Sequence, residues 1–269
     1  GGGTVASIEN YIDGSGSNTI TDRSGSMTIN AGAGDDIVNE NTSGGGDTFD
    51  LGSGNATLNI FNAGIGGDNF NGGSGIDLID FSAVTFGTGV TIDLNMSELR
   101  TANGLSTEVI SNFENANGSL GNDVLLGSNS NNILDGGAGN DTIGAEGTTG
   151  ANGGTDSYNG GAGDDVVNRA GGGGEDSYDG GTGIDTATIK QGTISLARMN
   201  LETGFLELGT NLTFEQWSNF ENFDASGSSS AASVLGSSGA NLILGGDGSS
   251  TLDAAGGETT IDGGAGNDT

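Results

Sequence analysis

A nine-residue period runs along most of the chain and constrains its fold more than any other feature. Counted from its first glycine, the unit reads G-G-x-G-x-D-x-U-x, with U a large apolar residue. Close copies start at Gly72 (GGSGIDLID), Gly136 (GGAGNDTIG), Gly160 (GGAGDDVVN) and Gly180 (GGTGIDTAT), and another opens at Gly263 (GGAGNDT). Three glycines in four positions suit a backbone that turns sharply and exposes its carbonyl oxygens, because glycine takes positive φ without penalty. The aspartate adds one hard anionic oxygen. The apolar residue two places later belongs to a short strand.

Degenerate copies keep the phase between the good ones. Starts fall at 13, 22, 31, 42, 51, 63 and 72, then at 118, 127, 136, 151, 160, 171 and 180, then at 227, 236, 245, 254 and 263. Insertions at 40–41, 60–62, 145–150 and 169–170 interrupt the steps of nine. One unit gives one turn and one strand, so two units make a coil that returns to its starting edge. Copies two apart then stack as neighbouring parallel strands, about 4.8 Å apart. The expected fold is all-β: a parallel β-roll, or right-handed β-solenoid, with two nonapeptides per coil and interspersed β spacers.

Let edge A be the edge of the copy at 31. Every insertion then falls just before an edge-B turn (42, 63, 151 and 171), so edge A should be a regular row and edge B should carry loose loops. Edge-B turns end DTF, DNF, DSY and DSY, which places Phe49 over Phe70 and Tyr158 over Tyr178 at inward positions. Ile20, Ile29, Val38, Leu58, Ile79, Leu125, Leu134, Ile143, Val167, Ile243, Leu252 and Ile261 fill the equivalent positions elsewhere. These read as core ladders of a thin solenoid rather than as a carbohydrate-binding stripe.

A longer repeat overlies the short one. IENYIDGSGSNTI (8–20) matches FENANGSLGNDVL (113–125), and NFENANGS (112–119) matches NFENFDAS (219–226). The organisation read from this is a spacer tail and first array at 1–80 and a spacer at 81–117. A second array at 118–188, a second spacer at 189–226 and an Asp-poor third array at 227–269 follow. The spacers hold the most strand-like stretches, GVTIDLN (89–95) and TISLARMNL (193–201), where alternation puts Val90, Ile92 and Leu94 on one face. They should continue the stack as wider coils or a small sheet, within what reads as a segment of a longer chain.

Composition decides what the turns must hold. Asp and Glu number 36 against 5 Lys and Arg, a formal charge of −31, and only 32% of residues are hydrophobic. Low hydrophobicity with high net charge marks a chain that cannot fold unaided, unless bound cations neutralise it. With no Cys and no His, disulfides, Cys/His zinc sites and Ser-His-Asp or Cys-His catalysis are excluded within these residues. The acidity argues against nucleic acid, which rewards clustered Lys and Arg. No apolar run is long enough to span a membrane.

Several carbonyls and one carboxylate per turn suit a hard cation that tolerates irregular geometry. Calcium accepts six to eight oxygens flexibly, whereas magnesium demands a rigid octahedron. The candidate carboxylate ligands are Asp36, Asp47, Asp68, Asp77, Asp123, Asp141, Asp156, Asp165, Asp176, Asp185 and Asp268. Candidate carbonyl donors are Gly72, Gly75, Gly136, Gly139, Gly160, Gly163, Gly180 and Gly183. Same-edge neighbours that both keep the aspartate should make the best sites: Asp123 with Asp141, Asp141 with Asp165 and Asp165 with Asp185 on edge A, and Asp47 with Asp68 and Asp156 with Asp176 on edge B. Pairs keeping one, such as Asn18 with Asp36 or Asn132 with Asp156, should bind more weakly. Ala232, Asn241, Ser250 and Thr259 hold the position in the third array, which should be poor in calcium, and the β spacers should bind none. Asp80, Asp135, Asp179, Asp253 and Asp262, at the ninth position, read as turn caps.

The chain resembles the hemolysin-type calcium-binding repeats of RTX proteins across nearly all its length. The pattern GVTIDLN…NFENANGSLGNDVLLGSNSNNILDGGAGND is similar to very large secreted repeat proteins of Gram-negative bacteria. The resemblance implies type I secretion, a location outside the cell or at its surface, and a β-roll formed in external calcium. It leaves open a structural segment of a surface layer, filament or adhesin, a carrier module of a secreted enzyme, and the repeat region of a toxin. The structural reading is favoured because the long repeat stacks without limit and no catalytic constellation is present. Its partners would be calcium and further copies of the chain or cell-surface polysaccharide.

Overall fold

The computed structural model describes residues 10–22, 25–41, 45–62, 66–85, 89–101, 107–144, 154–169, 174–189, 197–208 and 213–269. The chain forms two compact units, Gly1–Ser128 and Asn129–Thr269. Regular structure among the described residues is entirely β-strand.

The first unit opens with β1 (Asn10–Ile12), β2 (Thr19–Thr21), β3 (Thr28–Asn30), β4 (Ile37–Glu40), β5 (Thr48–Asp50), β6 (Thr57–Ile60), β7 (Asn69–Asn71) and β8 (Leu78–Asp80). It continues with β9 (Val90–Asp93), β10 (Glu98–Thr101), β11 (Thr107–Ser111), β12 (Asn115–Asn117) and β13 (Val124–Leu126). One sheet of this unit runs β1-β3-β5-β7-β11-β10-β9-β13 and the other β2-β4-β6-β8-β12. Successive array strands alternate between the sheets, so two nonapeptides make one coil. The parallel registers measure that coil. Thr19 pairs with Ile37, eighteen residues on, whereas Ile37 pairs with Thr57 and Thr57 with Leu78, each displaced further by the length of the intervening insertion.

The second unit contains β14 (Ile133–Ala138), β15 (Thr142–Ile143), β16 (Ser157–Ala162), β17 (Val166–Asn168), β18 (Ser177–Thr182) and β19 (Thr186–Thr188). Its later strands are β20 (Ala197–Asn200), β21 (Phe205–Leu208), β22 (Thr213–Ser218), β23 (Asn222–Asp224), β24 (Ala232–Leu235), β25 (Leu242–Leu244), β26 (Thr251–Asp253) and β27 (Thr260–Asp262). Its sheets run β15-β17-β19-β23-β25-β27 and β14-β16-β18-β22-β21-β20-β24-β26.

Each spacer is a three-stranded antiparallel meander set edge-on into one sheet. β11 adds parallel to β7, β10 and β9 follow antiparallel, and β9 leaves a parallel edge for β13. β22, β21 and β20 do the same between β18 and β24. Val90 and Ile92 are buried and Leu94 is half-buried.

The core is a thin ladder of inward side chains. Ile29, Val38, Leu58, Ile79, Leu125, Leu134, Ile143, Val167 and Ile243 are fully buried and Ile20 nearly so. Phe49 lies over Phe70 with ring centroids 5.4 Å apart, and Tyr158 over Tyr178 at 5.5 Å. Trp217 of the second spacer extends the latter ladder, stacked on Tyr178 at 4.0 Å. Leu252 is only half-buried and Ile261 is exposed; their strands are the last in their sheets among the described residues.

Two expectations about the edges need correction. The edge assigned to the copy at 31 does not pass unchanged through the first spacer. In the first unit Asp36 and Asp77 lead into β4 and β8, but Asp123 leads into β13, in the sheet that Asp47 and Asp68 feed. Residues 115–117, counted as spacer, form the ordinary strand β12 paired with β8, so one more half-coil intervenes. The insertions are also not simply loose loops. Glu40 and Ile60 end β4 and β6 and are fully buried, and Arg169 is buried after β17. Residues 145–150, the longest insertion, lie outside the described residues.

Candidate metal centres

The motif aspartates sit where each turn enters its strand, and stacking links them in rows. Within the arrays, Oδ1 of a motif aspartate accepts the backbone N–H of the equivalent residue one coil earlier at the positions named next. In the second unit the Asp141 N–H donates to Asp165 (2.7 Å) and the Asp165 N–H to Asp185 (2.8 Å). Beside β16, the Asn132 N–H donates to Asp156 (2.8 Å) and the Asp156 N–H to Asp176 (2.9 Å). In the first unit the bonds run from Asn18 to Asp36, Ala56 to Asp77, Met27 to Asp47 and Asp47 to Asp68. The pairs Asp47/Asp68, Asp156/Asp176, Asp141/Asp165 and Asp165/Asp185 are therefore brought together, while Asp123 lies in the first unit and Asp141 in the second.

At several positions this arrangement uses one carboxylate oxygen and leaves the other. Oδ2 of Asp36, Asp77, Asp165 and Asp185 is buried with no hydrogen-bond partner. A buried anionic oxygen without a partner is costly, and a cation is the partner that such a site can take. The first-position glycines form the other wall. A Cβ on Gly160 would come within 2.5 Å of Asp165 Oδ2, and one on Gly136 would strike Asp141 Oδ2 and the Gly160 carbonyl. Gly72 and Gly180 are similarly closed off by Asp77 and Asp185. Here glycine is demanded by space; at the fourth position it is demanded by φ, which lies between +123° and +148° at Gly75, Gly139, Gly163 and Gly183.

The electrostatics follow from burial among like charges. Burial pushes the carboxyls of Asp47, Asp77, Asp156 and Asp185 up to about 6, opposed by the backbone N–H each accepts and reinforced by carboxylates nearby. Asp123 and Asp165 are raised for the same leading reason.

Not all motif carboxylates are equivalent. Asp123 is served locally: Ser119, in place of the second glycine, gives its N–H to Oδ2 (2.6 Å) and its hydroxyl to Oδ1 (2.9 Å). Asn241 shows how the third array manages without an acid. Its Oδ1 accepts the Ser237 N–H, and its Nδ2 donates to the Glu221 carbonyl at 2.7 Å, so an amide supplies the donors directly. Asp268 accepts the Ser250 N–H at 2.8 Å and is exposed. Asp80, Asp179, Asp253 and Asp262 accept backbone N–H groups two residues on, as turn caps do, while Asp135 accepts the Asn159 amide.

Sequence reasoning missed an acidic group and four glutamates. Asp22, Glu40 and the motif Asp47 are all buried, with one ligand atom from each lying within 4.8 Å of the others. Glu108 and Glu215 stand beside the last turns feeding β7 and β18, and Glu114 and Glu221 beside the last turns feeding β8 and β19. For Glu114 and Glu221 the signal was present in the recurrence of N-F-E-N at 112–115 and 219–222.

Taken together, the stacked coils and half-satisfied carboxylates define a β-solenoid built around oxygen-lined cation turns. The family model of the RTX calcium-binding nonapeptide repeat (4 copies) matches residues 12–39, 113–146 and 235–269. Over those residues the chain carries RTX calcium-binding repeats. The last match takes in the third array, where the motif aspartate is replaced at 241, 250 and 259. No curated protein matches the chain. Calcium fits the donor set on this structure's own terms, since the turns offer hard oxygens only and hold buried carboxylate oxygens with no other partner. Bound there, it would supply the positive charge that the rows lack.

Proposed function

We propose that the chain is a calcium-ordered structural segment of an extracellular surface-layer, filament or adhesin protein, and that it is not an enzyme. The observation that carries this reading is the buried carboxylate row with its unpartnered oxygens. Asp141, Asp165 and Asp185 stack coil upon coil in one unit, and the backbone bonds that align them leave Oδ2 of Asp165 and Asp185 for a cation. The chain invests its acidic residues in ordering its coils, and most array strands contribute only one large inward side chain to the core. A ligand that binds only the folded coil contributes its binding free energy to folding. In external calcium the coils would order, and like-charged copies would pack because the ions offset their repulsion.

Electron microscopy of the secreted full-length protein, with calcium and then with chelator, tests the structural role. Ordered sheets or filaments that dissolve on chelation are expected. Monodisperse molecules carrying an active hydrolase would favour the reading as a carrier module of a secreted enzyme.

A further inference from the structure

Within an array, the backbone N–H at the motif position donates to the carboxylate of the next coil on the same edge where that coil keeps its aspartate, as Ala56 does to Asp77 and Asp165 to Asp185. At the end of an array there is no next motif. The N–H of Asp77 donates instead to Glu114 Oε2, 2.9 Å away and 37 residues on, and that of Asp185 to Glu221 Oε2, 2.8 Å away and 36 residues on. Both glutamates come from the N-F-E-N segment that closes a spacer. They reach with one extra methylene to the place a motif aspartate would fill.

The same segment brings a carbonyl. Asn112 and Asn219 adopt φ of 56° and 58°, a left-handed conformation that non-glycine residues rarely take. Each is held in place by its side chain: Asn112 Nδ2 donates to Asn71 Oδ1 and Asn219 Nδ2 to Asp179 Oδ1, both at 2.7 Å. The resulting turn presses the Asn112 carbonyl against Gly72 and the Asn219 carbonyl against Gly180, so closely that a Cβ on either glycine would strike it. Across the same gap lie Asp77 and Asp185, fully buried, each with an unpartnered Oδ2.

We infer that each spacer completes a terminal calcium site: Asp77 with Glu114 and the Asn112 carbonyl in the first unit, Asp185 with Glu221 and the Asn219 carbonyl in the second. The spacers are then calcium-binding at their junctions, contrary to their reading from sequence as calcium-free. A hard divalent cation is the ligand class, because every donor is oxygen and at least one carboxylate comes from each side. Attachment of spacer to array becomes ion-dependent, so the end of each row is closed by the same chemistry that builds it. The inference rests on the calcium reading of the motif turns.

Trp217 supplies the readout, since it belongs to the second spacer and stacks on Tyr178 of the array. Glu221→Gln keeps an oxygen to accept the Asp185 N–H and removes only the charge, so it separates a metal ligand from a capping hydrogen bond. In the full chain titrated with calcium, this variant should bind one ion fewer by calorimetry, or shift the Trp217 fluorescence midpoint to calcium about tenfold higher, the loss typical of a disrupted metal environment. Glu114→Gln should remove an ion of the first unit and leave the Trp217 midpoint in place. It remains informative if Glu221→Gln does not fold. Unchanged stoichiometry and midpoints in both variants, with calcium bound by the parent chain, would overturn the inference alone. A parent chain that binds no calcium would overturn the wider reading as well.

Discussion

The two spacers meet their arrays on the other edge with the same glutamate and opposite solutions for its charge. Glu215, buried opposite Asp176, is gripped by Arg169: Nη2 lies 2.6 Å and Nε 2.8 Å from Oε1, and the Trp217 indole N–H donates to Oε2 at 3.2 Å. Glu108, its counterpart opposite Asp68, accepts the Gly67 N–H on Oε2 and keeps a buried Oε1 with no hydrogen-bond partner. Alignment of the copies at 51 and 160 puts the buried Ile60 where the second unit has Arg169. One unit meets its glutamate with a cationic side chain; the other leaves one carboxylate oxygen of Glu108 buried without a protein partner. A buried carboxylate must be offset by a cation, by hydrogen-bond donors or by a proton, and the two junctions differ in that only Glu215 has a cationic side chain against it.

The largest effect that could break this comparison is on Arg169. Arg169→Met leaves Glu215 buried and uncompensated, which should cost about 3–5 kcal/mol in the calcium-loaded state, read from chemical unfolding followed at Trp217. Adding Glu215→Leu should recover most of that loss, since an apolar pair replaces a buried ion pair at little cost. In the first unit, Glu108→Gln should weaken calcium binding without a comparable loss of stability in excess calcium. If Glu108→Gln and Arg169→Met behave alike, the two junctions do not differ in the way described.

A smaller loss is expected inside the rows. Asp165→Ala removes a carboxylate lying between Asp141 and Asp185, and should abolish or weaken two sites in a calcium titration. Asn241→Ala touches a turn already satisfied by its own amide, and should leave the number of bound ions unchanged. Equal effects would mean that the bonds of Asn241 do not stand in for a cation.

The most modest effect is that of pH on the metal-free chain. The carboxyls of Asp47, Asp77, Asp156 and Asp185 are raised in the fold to about 6, from an ordinary value of about 3.9 when unfolded. The folded state therefore binds more protons between these limits, and its stability falls as pH rises through that window and levels off above it. Metal-free protein should show more β-structure by circular dichroism near pH 4.5 than at pH 7.5. Calcium competes with those protons, so its midpoint should move to higher concentration as pH drops from 7 to 5.

Much of this was legible in the sequence because the repeat is strict where packing is strict. The period places Phe49 over Phe70, and the insertion lengths reappear as the excess over eighteen residues in each strand pairing. The terminal sites were harder to see because Glu114 and Glu221 lie in no nonapeptide. Their role depends on a spacer folding back by some 36 residues onto the last turn. Arg169 was hidden differently: it occupies an insertion, and only the return of β22 beside β18 brings Glu215 to it. The change of edge before Asp123 arises because β12, with the polar sequence Asn-Ala-Asn, does not read as a strand and draws its structure from pairing with β8.

Circular dichroism of the full chain, in chelator and then through a calcium titration to millimolar at neutral pH, tests most directly whether bound calcium orders these coils. The chain carries 31 excess negative charges and buries carboxylate oxygens that have no protein partner. It should therefore be largely unfolded in chelator and pass cooperatively to a β spectrum as calcium is added. A β spectrum of full amplitude in chelator, unchanged by calcium, would contradict the account.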